Sequence, residues 1–260
     1  MKIAWFSAGI TSTVACKLAL EKYDDVEIYY IETGAHHPDN ARFIRECEAW
    51  YGQRINIIRN SKGYSSHIDV IRKHKVVNTP HGFAPCTKKL KKEPRYELED
   101  RVKYDNQIFG FEYSQHEINR AIRFKEQYPH TNPLYPLIEA RLNKDECAGI
   151  LVSAGIELPA MYLLGYSNNN CIGCVKGGKG YWNKIRQDFP DVFAEMASAE
   201  REVGGTCLKH EDGPKWLDEL PPHEGNIPNA VIPNCGMFCQ IEFVHIMDAR
   251  VEDVMKGEKV

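Results

Sequence analysis

The chain has 260 residues, of which 43% are hydrophobic and 27% charged, a composition typical of a soluble globular protein. Its 33 basic and 36 acidic residues give a net charge of -3, which excludes a strong overall bias towards nucleic acid or an anionic membrane. No apolar run reaches the roughly 20 residues that cross a bilayer. The short run from Ile3 to Phe6 predicts a strand and not a signal peptide, so we expect a cytoplasmic protein.

Strand and helix patterns alternate along the first 128 residues. Apolar runs predict strands at 3–6, 26–31, 55–58 and 107–111. Helical spacing of apolar residues predicts helices at 12–22, 39–51, 67–73, 87–102 and 116–128, the fourth interrupted by Pro94. This alternation predicts an α/β fold, a Rossmann-like parallel sheet with helices on both faces. Ligands of such sheets bind beyond the carboxyl ends of the strands.

The character of the sequence changes after about residue 165. Strand patterns fade, and asparagine, glycine, proline and cysteine become frequent. One helix is predicted at 180–202, with Pro190 as a break. We therefore divide the chain into an α/β domain, residues 1–165, and a cysteine-rich region, residues 166–260.

A candidate phosphate loop lies between the first strand and the first helix: Ser7, Ala8, Gly9, Ile10, Thr11 and Ser12. A phosphate needs backbone N–H groups that point inward and no side chain in the way, and Gly9 permits that approach. The three hydroxyls and the start of the helix add donors and positive potential. From spacing alone, a plain strand-to-helix turn is an equal alternative.

A second loop follows the second strand and should lie at the same sheet edge. It contains Glu32, Thr33 and Gly34, and then His36 and His37. We expect the histidines either to contact the ribose or phosphates of a nucleotide or to be inert surface residues.

Residues 4–15 resemble the pyrophosphatase loop, Ser-Gly-Gly-x-Asp-Ser, of the adenine nucleotide alpha hydrolase (PP-loop) superfamily. Within it, five further segments resemble the phosphoadenosine phosphosulfate (PAPS) reductase family over roughly residues 1–180. They are Ile31 to Gly34, Cys86 to Pro94, Gly110 to Glu112 with Ser114 and Arg120, Pro136-Leu137, and Gly165-Tyr166 with Ile172 to Cys174. The resemblance implies that ATP or a PAPS-type adenine nucleotide, with Mg²⁺, binds at the phosphate loop, at 32–34, and at Gly110 and Arg120.

Three positions depart from the family pattern. Thr11 stands where the superfamily carries aspartate, which would help to handle a metal-bound pyrophosphate, so cleavage of ATP is less favoured than its binding. We still place Thr11 among the candidate catalytic residues. Ala8 replaces a glycine, and Glu112 replaces an arginine of the presumed anion site.

Nine cysteines in a cytoplasmic protein favour metal or redox chemistry over a disulfide framework. The pairs Cys171/Cys174 and Cys235/Cys239 match a [4Fe–4S] cluster or a tetrahedral zinc site, and buried or incidental cysteines are the alternative. The resemblance implies a competing set, in which Cys86 joins Cys171, Cys174 and one of Cys207, Cys235 or Cys239. Cys16, Cys47 and Cys147 lie in helical patterns and are predicted to belong to the core.

Cys235 has a third interpretation, as a catalytic nucleophile. The resembled reductases use a thiol in a C-terminal Glu-Cys-Gly-Leu-His segment, and Asn234 to Phe238 shares only Cys-Gly and an apolar residue with it.

Two groups of basic residues lie at 88–95 and 176–186. They either hold a 3′-phosphate or a nucleic-acid backbone, or they form solvated helix faces.

The sequence thus leaves three functional hypotheses. The first is an enzyme that adenylates an acceptor, such as a nucleic-acid base, for sulfur transfer with the help of an iron–sulfur cluster. The second is a sulfonucleotide (PAPS) reductase that releases sulfite with Cys235 as nucleophile. The third is a non-catalytic nucleotide-binding or nucleic-acid-binding module with structural zinc.

Overall fold

The structure, a computed structural model, describes residues 1–78, 83–210 and 213–226. A five-stranded sheet forms its centre, in the order β3-β2-β1-β4-β5, and every neighbouring pair is parallel. The strands are β1 (Lys2–Phe6), β2 (Val26–Glu32), β3 (Ile55–Arg59), β4 (Asn106–Ile108) and β5 (Pro133–Leu134). The predicted Rossmann-like α/β fold is confirmed.

Eleven α-helices occur in the described residues. They are α1 (Ile10–Lys22), α2 (Asn40–Tyr51), α3 (His67–His74), α4 (Pro85–Thr87), α5 (Glu93–Glu99), α6 (Gln115–Gln127), α7 (Pro136–Glu139), α8 (Lys144–Ser153), α9 (Ala160–Leu163), α10 (Lys179–Asp188) and α11 (Pro190–Val203). Within these ranges, no helix is long and apolar enough to cross a bilayer.

The helix predicted at 87–102 is wrong in its detail. A π-helical segment at Lys88–Lys92 separates α4 from α5, and Pro94, which has no N–H to donate, lies in the first turn of α5 directly after that segment. π-helical turns are rare and are often found at functional sites. This one packs near β2.

The main core surrounds α1, which lies between the sheet and α8. Because most of α1 is buried, with only Glu21 and Lys22 exposed, its buried residues do not form a single apolar face. Cys16, Cys47 and Cys147 are almost fully buried in this core, as predicted.

A second core joins α3 to α10 and α11 around Trp182, which is fully buried. Pro190 begins α11, so the predicted break between two helices is confirmed. A two-stranded antiparallel ribbon follows, formed by β6 (Leu208–His210) and β7 (Gly213–Lys215), and then a 3₁₀ turn at Leu217–Glu219. The domain boundary at residue 165 stays a prediction.

Glu200 fastens this last segment to α11. Its carboxylate is fully buried and accepts the backbone N–H groups of Cys207 and Leu217, the latter at 2.8 Å. Burial raises the pKa of Glu200, and the two N–H donors oppose that rise. One buried carboxylate therefore binds the backbone at both Cys207 and Leu217.

We predict that Glu200→Ala destabilises the protein by about 3 kcal/mol, because two buried N–H groups lose their acceptor. Urea denaturation measures the change in the free energy of unfolding. Glu202→Ala, at an exposed position of the same helix that pairs with Arg72, is the control and should cost less than about 1 kcal/mol. Equal effects of the two substitutions would contradict this role of Glu200.

Candidate nucleotide and thiol site

The candidate phosphate loop connects β1 to α1 at the carboxyl edge of the sheet. The Ser7 N–H donates to Ser12 Oγ at 3.0 Å, and Ser12 Oγ in turn donates to the Gly9 carbonyl at 2.9 Å. The first turn of α1 contains no acidic side chain, and Gly9 is its N-cap without a side-chain hydrogen bond. The positive end of the helix therefore faces the loop without a competing carboxylate.

Ala8 holds an unusual backbone conformation in this loop, with φ of 57°. A left-handed conformation costs a non-glycine residue about 1 kcal/mol. The Ala8 carbonyl accepts a hydrogen bond from Asn169 Nδ2 at 2.7 Å, which stabilises this geometry from the cysteine-rich half of the chain.

Gly110 lies directly against the phosphate loop. A Cβ atom there would come within 2.6 Å of Ser12 Cα and 2.8 Å of its backbone nitrogen. Only glycine permits the segment after β4 and the loop to approach so closely. Gly110, a predicted nucleotide-binding residue, therefore lies beside the loop.

The second predicted segment forms the end of β2. Glu32 Oε1 accepts the Gly34 N–H at 2.6 Å, and the Gly34 backbone has φ of 74° close to the Ser65 carbonyl. The His36 hydrogen bond and the Gly34 N–H lower the pKa of Glu32 to about 2, against the effect of burial. Glu32 is therefore a carboxylate at neutral pH, held within the loop.

A chain of hydrogen bonds runs from the phosphate loop to this segment. Asn169, which holds Ala8, also donates to Asn40 Oδ1 at 2.8 Å, and Asn40 Nδ2 donates to the Tyr30 hydroxyl at 3.1 Å. The Tyr30 hydroxyl lies 2.6 Å from His36 Nδ1. All four side chains are at least nine-tenths buried, so water competes little for these bonds.

Cys171 lies at the far end of this chain. Its Sγ is 3.3 Å from Thr33 Oγ1, and the thiol is buried at the carboxyl end of β2. Burial alone would raise its pKa, but a hydrogen bond from His36 and the nearby charge of Lys91 outweigh burial and lower the pKa of Cys171 to about 7. Substantial thiolate is thus present at neutral pH.

Three further cysteines approach Cys171. Burial, and after it the charges of Cys174 and Cys171, raise the pKa of Cys86 to about 11. Burial and Glu200 raise the pKa of Cys207, and Cys174 and Cys86 add to that effect. The structure therefore gathers Cys86, Cys171, Cys174 and Cys207 in one region.

These thiols are not arranged as a metal site. Within 1–78, 83–210 and 213–226, no three His, Cys, Asp or Glu side chains are placed to hold a metal ion. Cys235 and Cys239 lie outside the described residues, so the ligand set that includes them stays a prediction, as does the role of Cys235 as a nucleophile.

Arg120 and Glu112, two further residues that the sequence analysis names, make other contacts. Arg120 is more than half exposed on α6, where it pairs with Glu117 and stacks on the Phe111 ring at 4.4 Å. Glu112 is half-buried, and burial raises its pKa, although the charge of Lys144 opposes this. Arg120 is therefore held by other partners at this surface.

Sequence reasoning missed the residues that join the two halves of the site. Asn169 belongs to a polar run without a known motif, and Tyr162 reaches the Ile10 N–H at 3.4 Å from a short helix. The Ile172 N–H donates to the Ala35 carbonyl at 2.8 Å. The three adjacent asparagines at 168–170 were the one available signal.

Fold and site together define an α/β protein with a candidate phosphate loop at the carboxyl edge of its sheet and a thiol at the same edge. The chain belongs to the phosphoadenosine phosphosulfate reductase domain family, whose model matches residues 2–177, more than half of its length. The chain is similar to a solved PAPS reductase from Candida auris, determined as a phosphate complex. The two share 16% identity, with a TM-score of 0.47 over 65% of this chain and 80% of that one. No curated protein matches the sequence.

We predict that Gly110→Ala raises the Kd for an adenine nucleotide about tenfold. The new methyl group would displace the Ser12 backbone, and the loss of one phosphate hydrogen bond weakens binding by about 1.5 kcal/mol. Isothermal titration calorimetry with ATP and with PAPS measures the change. Gly205→Ala is the control, since a Cβ there meets only ordinary contacts with Val77 and Val203. An unchanged Kd for Gly110→Ala would refute the proximity argument.

We predict that His36→Ala raises the pKa of Cys171 by one unit or more, because the thiolate loses its principal hydrogen-bond donor. The readout is thiolate absorbance against pH in chelator-treated protein, with Cys171→Ser identifying the signal. His37→Ala serves as the control, because His37 packs against Phe189. If both histidine variants titrate like the parent protein, His36 does not set this pKa.

Proposed function

We propose that this chain is a thiol-dependent sulfonucleotide reductase that binds a PAPS-type nucleotide at residues 7–12 and reduces its sulfonyl group with Cys171. One observation carries the proposal: the Cys171 thiol lies 3.3 Å from Thr33 at the sheet edge that also holds the phosphate loop. Asn169 contacts that loop and is only two residues from Cys171. The span from Cα of 169 to Cα of 171 is at most about 7 Å.

The proposed reaction needs two thiols. The Cys171 thiolate attacks the sulfonate sulfur, an S–S bond forms, and the S–O bond to the nucleotide phosphate breaks. The Cys174 thiol then attacks Cys171 Sγ, forms the Cys171–Cys174 disulfide, expels sulfite and gives its proton to solvent. Sulfur is reduced by two electrons, and the two thiols are oxidised by two.

Thr11 supports this reaction over cleavage of ATP. A hydroxyl donates to a phosphate oxygen, but it is a weaker ligand for Mg²⁺ than the aspartate that the superfamily carries there. Sulfonate transfer to a thiol leaves the phosphoester chemistry of the nucleotide untouched. It therefore needs phosphate binding, which the loop offers, and no metal-bound pyrophosphate leaving group.

His36 and Thr33 are positioning residues in this proposal. The His36 ring is held by the Tyr30 hydroxyl on Nδ1, and its Nε2 lies 3.4 Å from Thr33 Oγ1, the atom that contacts the Cys171 sulfur. Thr33 fixes the sulfur against the end of β2. Both residues stabilise the thiolate, and the exposed ammonium group of Lys91 adds positive potential for an anionic substrate.

A second candidate is the adenylating sulfur transferase, favoured by the gathering of Cys86, Cys171, Cys174 and Cys207. A [4Fe–4S] cluster or zinc at these residues would support it. The described side chains do not fit such a group as they stand, so no step is assigned to it. Analysis of anaerobically purified protein for iron, sulfide and zinc distinguishes this candidate from the thiol-dependent reductase.

We predict that the reduced protein releases sulfite from PAPS in a single turnover, and that Cys171→Ser abolishes this release. The same protein should release no pyrophosphate from ATP with a nucleic-acid acceptor. Sulfite is measured with a thiol-reactive dye and pyrophosphate with a coupled enzyme assay. Cys147→Ser, at a buried core position, is the matched control, and its folding is checked by circular dichroism.

Two further variants test whether Cys171 or Cys235 is the nucleophile. Cys174→Ser should accumulate the Cys171 thiosulfonate, which mass spectrometry detects as an SO₃ adduct. Sulfite release that persists in Cys171→Ser but stops in Cys235→Ser would move the chemistry to the C-terminal thiol. Pyrophosphate release from ATP without sulfite from PAPS would favour the second candidate.

A further inference from the structure

Residues 168–178, here called the cysteine loop, border a cavity of about 210 Å³. Its walls come from the loop after α9, from the cysteine loop and from the start of α10. They are formed by Met161, Gly165, Tyr166, Ser167, Asn168, Asn170, Cys174, Lys176, Gly177, Gly178, Tyr181 and Lys184. None of the residues predicted at the candidate phosphate loop, at 32–34, or at Gly110 and Arg120 lines it, whereas Lys176 and Lys184 of the basic group at 176–186 do. Sites for drug-sized ligands are usually above about 300 Å³, so this cavity suits a smaller molecule.

The cavity carries positive charge. Lys176 and Lys184 line it, and no aspartate or glutamate belongs to its walls. Lys184 is held by Asp188 at 2.8 Å and lies over the Tyr166 ring at 4.9 Å, which fixes its ammonium group. Lys176 is exposed, and among the described residues no carboxylate lies within 4.0 Å of its Nζ. Asp188 offsets the charge of Lys184 and also accepts a hydrogen bond from Tyr166, so the excess positive charge that favours an anionic occupant comes mainly from Lys176.

A thiol belongs to the same walls. Cys174 is partly exposed there, whereas Cys171 is buried on the nucleotide side. The Cys174 N–H donates to the Tyr181 hydroxyl at 2.9 Å, and that hydroxyl donates to the Cys171 carbonyl at 3.2 Å. Tyr181 packs where a side chain at position 177 would lie, since a Cβ on Gly177 would come within 1.9 Å of its ring. Cys171 is thus buried beside Thr33, and the neighbouring Cys174 borders the cavity.

We infer that this cavity admits a small anionic thiol, one that carries a carboxylate, which reduces a Cys171–Cys174 disulfide by attack on Cys174. The inference rests on the proposed function, because sulfite release by two thiols leaves that disulfide. The incoming thiolate forms an S–S bond to Cys174, and Cys171 departs as thiolate. A second molecule of the thiol attacks the mixed disulfide, so that two free cysteines and one external disulfide result.

Lysine charge should control the choice of reductant. The carboxylate of 3-mercaptopropionate is attracted by Lys176 and Lys184, whereas neutral 2-mercaptoethanol is not. Partly exposed charges near a protein surface change such encounter rates by about tenfold, and salt weakens the effect. The ratio of the two reduction rates is therefore the informative quantity, because it cancels general changes in disulfide reactivity.

The experiment uses the full chain, oxidised with diamide, and no nucleotide. Reduction of the Cys171–Cys174 disulfide is followed by alkylation and mass spectrometry with each thiol. We expect the rate ratio, 3-mercaptopropionate to 2-mercaptoethanol, to fall at least about fivefold in the Lys176→Gln/Lys184→Gln variant and in parent protein at 1 M salt. If the double variant is unstable, Lys176→Gln alone, at an exposed position, takes its place, and it should lower the rate ratio by a smaller factor. Lys125→Gln, on the exposed face of α6, is the charge-matched control and should leave it unchanged.

Two results would overturn the inference. One is a rate ratio that is the same in the parent, lysine and control proteins. The other is failure of Cys171 and Cys174 to form a disulfide. Because the assay contains no nucleotide, a lysine-dependent ratio without sulfite release from PAPS would remove the proposed reductase reaction and leave the anionic-thiol site.

Discussion

The hydrogen-bond chain from the Ala8 carbonyl to His36 is the interaction on which the candidate site depends. Asn169 begins it, and Asn40 and Tyr30 continue it through the interior at the carboxyl edge of the sheet. Each link is short and buried, so loss of any one leaves polar groups without partners at a cost of about 1–3 kcal/mol. The same side chains therefore fix the position of the candidate phosphate loop relative to the Cys171 thiol.

This chain also explains how two chemically different regions act as one site. The nucleotide edge offers helix dipole, hydroxyls and close backbone approach, but no strong acid or base. The cysteine loop offers a thiol, but by itself no means of placing a sulfonate. Docking of Ile172 on Ala35 beside the Thr33–Cys171 contact puts the second region onto the end of β2. The sulfonate reduction that we propose would need both contributions at once.

The sequence was sufficient for the first four strands and for the helices between them, because strand runs and helical spacing are local signals. It missed β5, a strand of two residues, and the phosphate-binding role of residues 7–12 stays a prediction. It was insufficient for the π-helical turn at Lys88–Lys92, since lysine-rich sequence is compatible with ordinary helix. It also could not identify Asn169 or the neighbours of Cys171. Those contacts join residues more than 100 positions apart, and no local pattern encodes them. Cys171 was predicted as a ligand from its spacing to Cys174, whereas its acidity comes from His36 and Lys91.

Ala8 has a consequence for the thermodynamics of ligand binding. A glycine in its place would sample many conformations in the free protein, and a phosphate would have to select one of them. Ala8 has fewer conformations available, and Asn169 holds the left-handed one before any ligand arrives. The entropy of ordering the loop is then lost during folding rather than during binding. The loop is preorganised, and the protein accepts about 1 kcal/mol of backbone strain in exchange.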